Sequence, residues 1–479
     1  MMNKRTKIVC TIGPASEEKK TLSKMVEAGM NVARLNFSHG TYENHKKLMD
    51  NIREVSEEKD EPVAIMQDVQ GPKIRLGEMP EDGVEIKEGQ KVVLDTSLDE
   101  YKDENLPVDY DELHEHVKPG ERLMIADGKI ILEIESVEGT QIKSEVQTDG
   151  KLFSHKGINA PDSDLAVRAV TQKDKEDIKF GVKQNVDLLA VSFVRTAEDV
   201  LDAKHLIQEY EEELDKNRDQ PIKVIAKIER QSAVDNIEEI MDVVDGIMVA
   251  RGDLGIEIPA QEVPLQQKKL IDLAMKQAKP VIVATQMLDS MQENPQPTRA
   301  EVSDVSNAVI DHTDAVMLSG ESASGEYPVK SVETMSEIIQ ETEESHYDDL
   351  PPPKLENGIL ETEEALTGLS RIVSEQLDAS LILAASISGD TGRLISRYRP
   401  EIPIAVATNN ERTQKQLNLS WGVIPFILPE CNTIEELIDR STLQLKRKGL
   451  VQDGDKIIVI AGEPVGKAGQ VNLLEVKEV

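Results

Sequence analysis

Cysteine is nearly absent from this chain of 479 residues: Cys10 and Cys431 are the only two, and neither stands in CxxC or metal-ligand spacing. That excludes a disulfide-stapled secreted framework and a thiolate metal site, and it fits two buried thiols in a reducing compartment. Long apolar runs are missing as well; nothing approaches the ~18 residues of a membrane span. No signal-peptide pattern opens the chain, since Met1 to Lys7 lead straight into a strand-like stretch, so a soluble, cytoplasmic protein is expected. Basic charge is in short supply, 55 Lys and Arg against 90 Asp and Glu, for a formal charge of -35. Such a surface repels nucleic acid and anionic membranes. The acids are spread along helical stretches, so a positive pocket for an anionic substrate must be built locally.

What is present is alternation. The length predicts two to four domains. β-branched runs at 8–12, 32–37, 63–67, 188–193, 224–228, 246–250, 281–285 and 315–318 alternate with amphipathic helical stretches. Eight such repeats predict a closed, parallel (β/α)₈ barrel with its chemistry at the C-terminal strand ends. The helix due after the third strand is postponed to 173–183, and turn signals at Gly83, Gly120, Asp127-Gly128 and Gly150 mark an inserted β domain hinged at Gly71-Pro72 and Pro161-Asp162. Asp348 to Pro353 reads as a linker to a further α/β unit with strands at 381–385, 404–407 and 457–460. The expected division is 1–70 and 166–347 for the barrel, 71–165 for the insert and 348–479 for the C-terminal domain. A Ser/Gly/Thr turn from Ser386 to Arg393 opens a helix there, either as a phosphate cradle or as an ordinary strand-to-helix turn.

Strand alternation tells which polar side chains share a face. Arg34, Asn36 and Ser38 fall together on the second strand, where a charged residue in an apolar run needs a ligand or an internal carboxylate. Lys227 and Glu229 share a face at the end of the fifth strand, as an ion pair or as a cation beside a metal-bound oxyanion. Gly252 and Asp253 end the sixth strand, offering a second carboxylate where glycine lets a ligand approach the backbone. Two carboxylates plus substrate oxygens suit Mg²⁺. Asp68, Ser192, Thr285 and Ser319 finish the third, fourth, seventh and eighth strands. Polar residues at nearly every mouth position point to a catalytic rim.

The strings Thr11-Ile12-Gly13-Pro14-Ala15-Ser16, Asn31 to Gly40 (NVARLNFSHG), Gly246 to Gly255 (GIMVARGDLG), Ala284-Thr285-Gln286-Met287-Leu288 and Met317-Leu318-Ser319-Gly320-Glu321 resemble the pyruvate kinase family. The resemblance runs along almost the whole chain. It implies a TIM barrel with a small β-barrel lid, a C-terminal Rossmann-like domain, and phosphoryl transfer from phosphoenolpyruvate to ADP. Carried over by matched position, Glu229 and Asp253 hold Mg²⁺ or Mn²⁺. Gly252, Asp253 and Thr285 hold the substrate carboxylate, Lys227 stabilises the enolate and Arg34 grips the phosphoryl group. Arg75, Lys173, Pro14, His39 and Asn44 face the nucleotide. A homotetramer is implied too. Thr285 and Ser319 are the candidates for relaying, through water, the proton that completes pyruvate.

Two departures stand out. Many family members read Asp-Thr-Lys-Gly-Pro-Glu where this chain has Asp68-Val69-Gln70-Gly71-Pro72-Lys73, and in the family a Lys there accompanies independence of K⁺. The Lys73 ammonium can supply the monovalent charge itself, leaving Asn36, Ser38, Asp68 and Val69 as the remnant of a K⁺ site. In the 386–393 loop, Asp390 opposes a phosphate dianion, which argues against fructose 1,6-bisphosphate as the effector. A lyase or aldolase sharing the Lys, Glu and Asp mouth would not need the lid, Arg75 and Lys173. A silent scaffold protein would be free to lose mouth residues, and none of the matched ones is missing.

Overall fold

The computed structural model describes residues 4–126, 128–163, 169–216, 220–351, 360–464 and 471–479. Asp127 of one expected turn, the 165/166 domain boundary and Pro352-Pro353 of the expected linker lie outside them. Eight parallel strands close into a barrel in sequence order: Lys7–Thr11, Val32–Asn36, Ala64–Asp68, Leu188–Val191, Lys223–Ile228, Gly246–Ala250, Val281–Ala284 and Ala315–Leu318. Their inward side chains, among them Val9, Met66, Ile225, Met248, Ile282 and Met317, fill the interior, so the barrel is a packed core and not a pore. Leu419 of the C-terminal domain joins this same cluster and stops the barrel from below. Outward residues such as Ile8, Leu35, Ile65, Val224 and Val249 form a second, larger core with the surrounding helices.

Local chemistry sets the helix ends that matter for the site. Helix Gln172–Gln184 starts in a capping box between Thr171 and Asp174 and stops at Asn185 in the left-handed region. The other oxygen of Asp174 accepts from the Gly71 N–H at 3.2 Å, which ties the start of the insert to the first helix after it. Gly71 has φ +68°, and a Cβ there would meet Ser192 and Phe193 at 3.0 Å, so the hinge needs glycine.

The insert forms a six-stranded sheet with a two-stranded ribbon around its own core. The C-terminal domain is a five-stranded sheet, in which Leu381–Ala385, Ile404–Thr408 and Lys456–Ala461 are joined by two edge strands that the sequence reading missed. Val423–Ile427 carries Pro425, tolerable because this strand lies on an edge. Leu473–Glu478 runs antiparallel and largely exposed, with too little apolar character to stand out. Cys10 is buried as expected, but Cys431 is only partly covered because it lies in the turn before helix Ile434–Arg447. No helix among the described residues is long and apolar enough to cross a membrane.

Candidate active site

The C-terminal rim of the barrel brings alternating charges into contact. Asp68, at the end of the third strand, accepts from Arg34 Nε at 2.6 Å, and its other oxygen lies 3.4 Å from Lys227 Nζ. Parallel register places Asn36 opposite Asp68, so Arg34, one pleat below, reaches across to it. Arg34 Nη1 also donates to Thr11 Oγ1 at 2.8 Å. Lys227 donates to Glu229 Oε1 at 2.9 Å and to Ser192 Oγ at 2.7 Å, and Ser192 passes its own hydrogen to Val69 O at 2.7 Å. The second Glu229 oxygen accepts from the Phe193 N–H at 2.6 Å, a donor aimed by the left-handed φ of +55° at Phe193. Both readings of the sequence therefore meet here: Arg34 and Lys227 do have internal carboxylate partners, and those partners line the rim.

Electrostatics separates the roles. Burial pushes the Lys227 ammonium down, but the Asp68 and Glu229 carboxylates outweigh it, and the pKa stands above its ordinary value. Burial likewise disfavours the Asp68 carboxylate, yet Arg34 and Lys227 bring it below the usual range. Glu229 is pushed up to about 7 by burial; Lys227 opposes the shift and Asp253 adds to it. Asp253 lies in helix Arg251–Glu257, and its side chain has no hydrogen-bond or ion-pair partner among the described residues. Two cations against three carboxylates leave the group short of positive charge. A divalent cation between Glu229 and Asp253 corrects that shortage, and carboxylate oxygens are the donors that hard ions prefer, so the donor set fits Mg²⁺ or Mn²⁺.

The seventh strand stops at Ala284, one residue earlier than expected, because Thr285 (φ +68°) and Gln286 (φ +55°) turn left-handed. A β-branched residue there is strained. Arg251 holds the turn: its Nη2 donates to Thr285 O at 2.8 Å and lies 2.7 Å from Asp304 Oδ2. The Gly252 N–H in turn donates to Thr285 Oγ1 at 2.8 Å, and a Cβ at Gly252 would stand 3.3 Å from that hydroxyl. Ser319 donates its N–H at 2.7 Å to buried Glu321, which also accepts from Leu288 N at 3.1 Å.

The nucleotide candidates spread over the adjoining surface. Lys173 Nζ donates to Phe37 O at 2.8 Å and pairs with Asp177 at 2.5 Å, which puts it at the turn leading to His39. His39 and Asn44 are exposed, and Thr41 caps the Asn44 N–H at 3.3 Å. Pro14 is exposed on the neighbouring loop. Arg75 belongs to the insert, where it bridges to Gly157 and its N–H meets Asp109 at 2.5 Å.

Ser38 lies beyond the end of the second strand, so alternation alone does not set its direction. The second strand ends at Asn36, and Ser38 follows in a turn whose N–H donates to Asn36 Oδ1 at 3.1 Å. Val69 O is engaged by Ser192 and Asp68 by Arg34 and Lys227, as above. The Lys73 methylenes lie over Gly157, and this lysine makes no ion pair with Asp68 among the described residues. In the C-terminal loop, Ser388 Oγ donates to Asp390 at 2.6 Å and Arg393 closes on the same carboxylate, so Asp390 occupies both would-be phosphate ligands. The sequence reading missed Thr11, Phe193, Arg251 and Glu321. Only Glu321 carried a signal, a carboxylate three residues past a strand end.

An eight-stranded barrel broken after its third strand by a β unit, with cations and carboxylates interleaved on its C-terminal rim, defines a multidomain barrel enzyme for an anionic substrate. Residues 3–332 match the family model "Pyruvate kinase, barrel domain" and residues 364–477 match "Pyruvate kinase, alpha/beta domain". The chain is 44% identical over 486 residues to a pyruvate kinase from Geobacillus stearothermophilus, covering 99% of this chain and 80% of that one. It is 41% identical over 477 residues to a pyruvate kinase from Clostridium acetobutylicum, covering 99% of each. A crystal structure of a pyruvate kinase from Cryptosporidium parvum matches with a TM-score of 0.90 at 34% identity, covering 99% of this chain and 96% of that one. The chain belongs to the pyruvate kinase family.

Proposed function

We propose that this kinase transfers the phosphoryl group of phosphoenolpyruvate to ADP, giving pyruvate and ATP, as the last step of glycolysis. The observation that carries this reading is the rim itself, where Arg34, Asp68, Lys227 and Glu229 form one connected chain and Asp253 stands beside it unpaired. Glu229 and Asp253 are the residues that would hold Mg²⁺ or Mn²⁺. When bound, the ion supplies positive charge against the phosphoryl and enolate oxygens. Arg34 grips the phosphoryl group with the guanidinium edge that Asp68 and Thr11 leave free, and those two contacts fix its plane.

Lys227 lies at the position where the enolate forms. Its two carboxylate neighbours keep it charged, and a buried ammonium stabilises a developing oxyanion far more than it would in water. Thr285 and the Gly252 N–H orient the substrate carboxylate. The proton that turns enolate into pyruvate is relayed through water by Thr285 and Ser319, whose hydroxyls are too weakly acidic to donate directly. Arg75 and Lys173 close on the nucleotide from the lid and from the first helix after it, with Pro14, His39 and Asn44 as the base and ribose surface. Positioning and charge neutralisation do the work, as phosphoryl transfer requires.

The finer readings are part of the same proposal. Residues 71–165 act as the lid, and 348–479 serve regulation and assembly into a cytoplasmic homotetramer. Turnover does not require K⁺, with Lys73 in place of the ion and Asn36, Ser38, Asp68 and Val69 as a vestigial site. A phosphorylated effector at Ser386 to Arg393 must first displace Asp390. Pyruvate formation from phosphoenolpyruvate, ADP and Mg²⁺ tests the reaction, and an inactive folded protein overturns it.

A further inference from the structure

We propose that Arg230 is a positioning residue for the Glu229 carboxylate, acting through the Phe193 ring, and that it thereby sets the affinity of the rim for its divalent cation. This rests on the assignment of Glu229 to that cation.

Phe193 is the joint. It lies two residues past the fourth strand with φ +55°, a left-handed conformation that a bulky residue adopts only under constraint. That conformation aims its N–H at Glu229 Oε2, 2.6 Å away. With Lys227 on the other oxygen at 2.9 Å, the carboxylate plane is fixed from both ends. The Phe193 ring, 7% exposed, anchors this backbone. It lies against Gly71, where a Cβ would meet its Cδ2 at 3.0 Å, and beneath the Arg230 guanidinium, whose carbon is 5.1 Å from the ring centroid. A cation over a desolvated aromatic face is held by the ring quadrupole.

Arg230 is available for this contact. Its main chain caps helix Gln231–Asp235, with Arg230 O accepting from Ala233 N at 3.1 Å, and its side chain turns back over the ring. Among the described residues no ion pair closes on the guanidinium, and its Nε has no hydrogen-bond partner. Burial disfavours its charge, and the Glu257 carboxylate is the main influence against that shift. Glu257 ends the helix that carries Asp253. The guanidinium thus stands between the supports of both carboxylates, and its aromatic contact is the one that reaches Glu229.

Charge and positioning predict opposite signs. As a bare cation next to Glu229, Arg230 repels a divalent ion, so its removal would tighten metal binding. As a positioning residue it holds the ligand, so its removal weakens metal binding, and partners that orient metal ligands are commonly worth about 10–100-fold.

Titration of the full chain with Mn²⁺, without substrates, tests this through the electron paramagnetic resonance signal of the free ion. Arg230→Met should weaken binding by about tenfold. Arg230→Lys, which returns a cation to the ring, should come within about threefold of the unaltered protein. Phe193→Leu should weaken binding similarly, and the double variant no further, because both act along one path. In the phosphoenolpyruvate reaction, kcat of Arg230→Met at saturating Mn²⁺ should recover to within about threefold, so that the metal requirement moves and the turnover does not. Thermal unfolding checks each variant, and Arg230→Gln replaces Arg230→Met if that one does not fold. Unchanged or tighter Mn²⁺ binding in Arg230→Met overturns the proposal, as do failure of Arg230→Lys to restore it and additive losses in the double variant. Glu229→Gln separates the two failures. If it keeps full Mn²⁺ affinity, the metal assignment falls and the proposal with it; if it loses Mn²⁺ while Arg230→Met does not, only the positioning role falls.

Discussion

At the base of the barrel, Arg399 is 2% exposed and donates to Asp314 at 3.0 Å, His312 O at 2.8 Å and Ser396 O at 2.8 Å, while its guanidinium lies over Trp421. The other Asp314 oxygen accepts from Trp421 N at 3.0 Å. At the mouth, Arg34 and Lys227 are less deeply set, with 11% and 12% of their side chains exposed, and the carboxylate that would finish the group, Asp253, has no partner among the described residues. The base pairs its buried guanidinium with a carboxylate and joins two domains, with Arg399 Nε alone of that group left without a partner among the described residues; the mouth leaves a whole carboxylate unmatched, a deficit that a metal ion can fill. Buried charge by itself says little, and the unfilled part carries the function.

The largest expected effect lies at the mouth: Lys227→Met should lower kcat by about 10³-fold. The thermal unfolding temperature should fall as well, because the buried Asp68 and Glu229 carboxylates lose their shared ammonium, so kcat is measured well below the unfolding transition. Retained turnover would erase the distinction between the two ends. The converse test is Arg399→Met, expected to destabilise the fold by about 3–5 kcal/mol by stranding the buried Asp314. Denaturant unfolding measures it, and kcat at low temperature should stay within about threefold.

A pH series sharpens the comparison further. With Glu229 pushed up to about 7, protons compete with the metal for its carboxylate. The Mg²⁺ concentration needed for half-maximal rate should therefore rise several-fold as pH falls from about 8 to 6. Glu229→Gln should flatten that slope, and a flat wild-type profile would contradict the assignment. The smallest expected effect concerns K⁺: turnover in potassium and tetramethylammonium salts should agree within about twofold, because Lys73 supplies a fixed charge. A large loss without K⁺ would mean that Asn36, Ser38, Asp68 and Val69 still hold an ion.

Much of this was legible because a strand has period two. Lys227 and Glu229, separated by one apolar residue, fall on one face, and the structure pairs them at 2.9 Å. The same rule carried the second and the seventh strands one residue too far each, since periodicity does not announce where a strand turns. Thr285 needs a left-handed backbone that Arg251 sustains from another loop. Phe193 contributes an N–H and Thr11 a hydroxyl, and neither differs in sequence from an ordinary core or strand residue. The two edge strands of the C-terminal domain were missed for opposite reasons, a proline in one and too many charges in the other.

Long matching strings by themselves pointed to the family, and alternation gave the order of barrel, insert and C-terminal domain and the charged residues of the rim, because those depend on local pattern. Only the tertiary structure decided which charges are spent on one another: Asp68 between Arg34 and Lys227, and Asp390 on Ser388 and Arg393 of its own loop. Pairing is a matter of a few ångströms between residues far apart in the chain. Only closure of the barrel and docking of the domains set those distances.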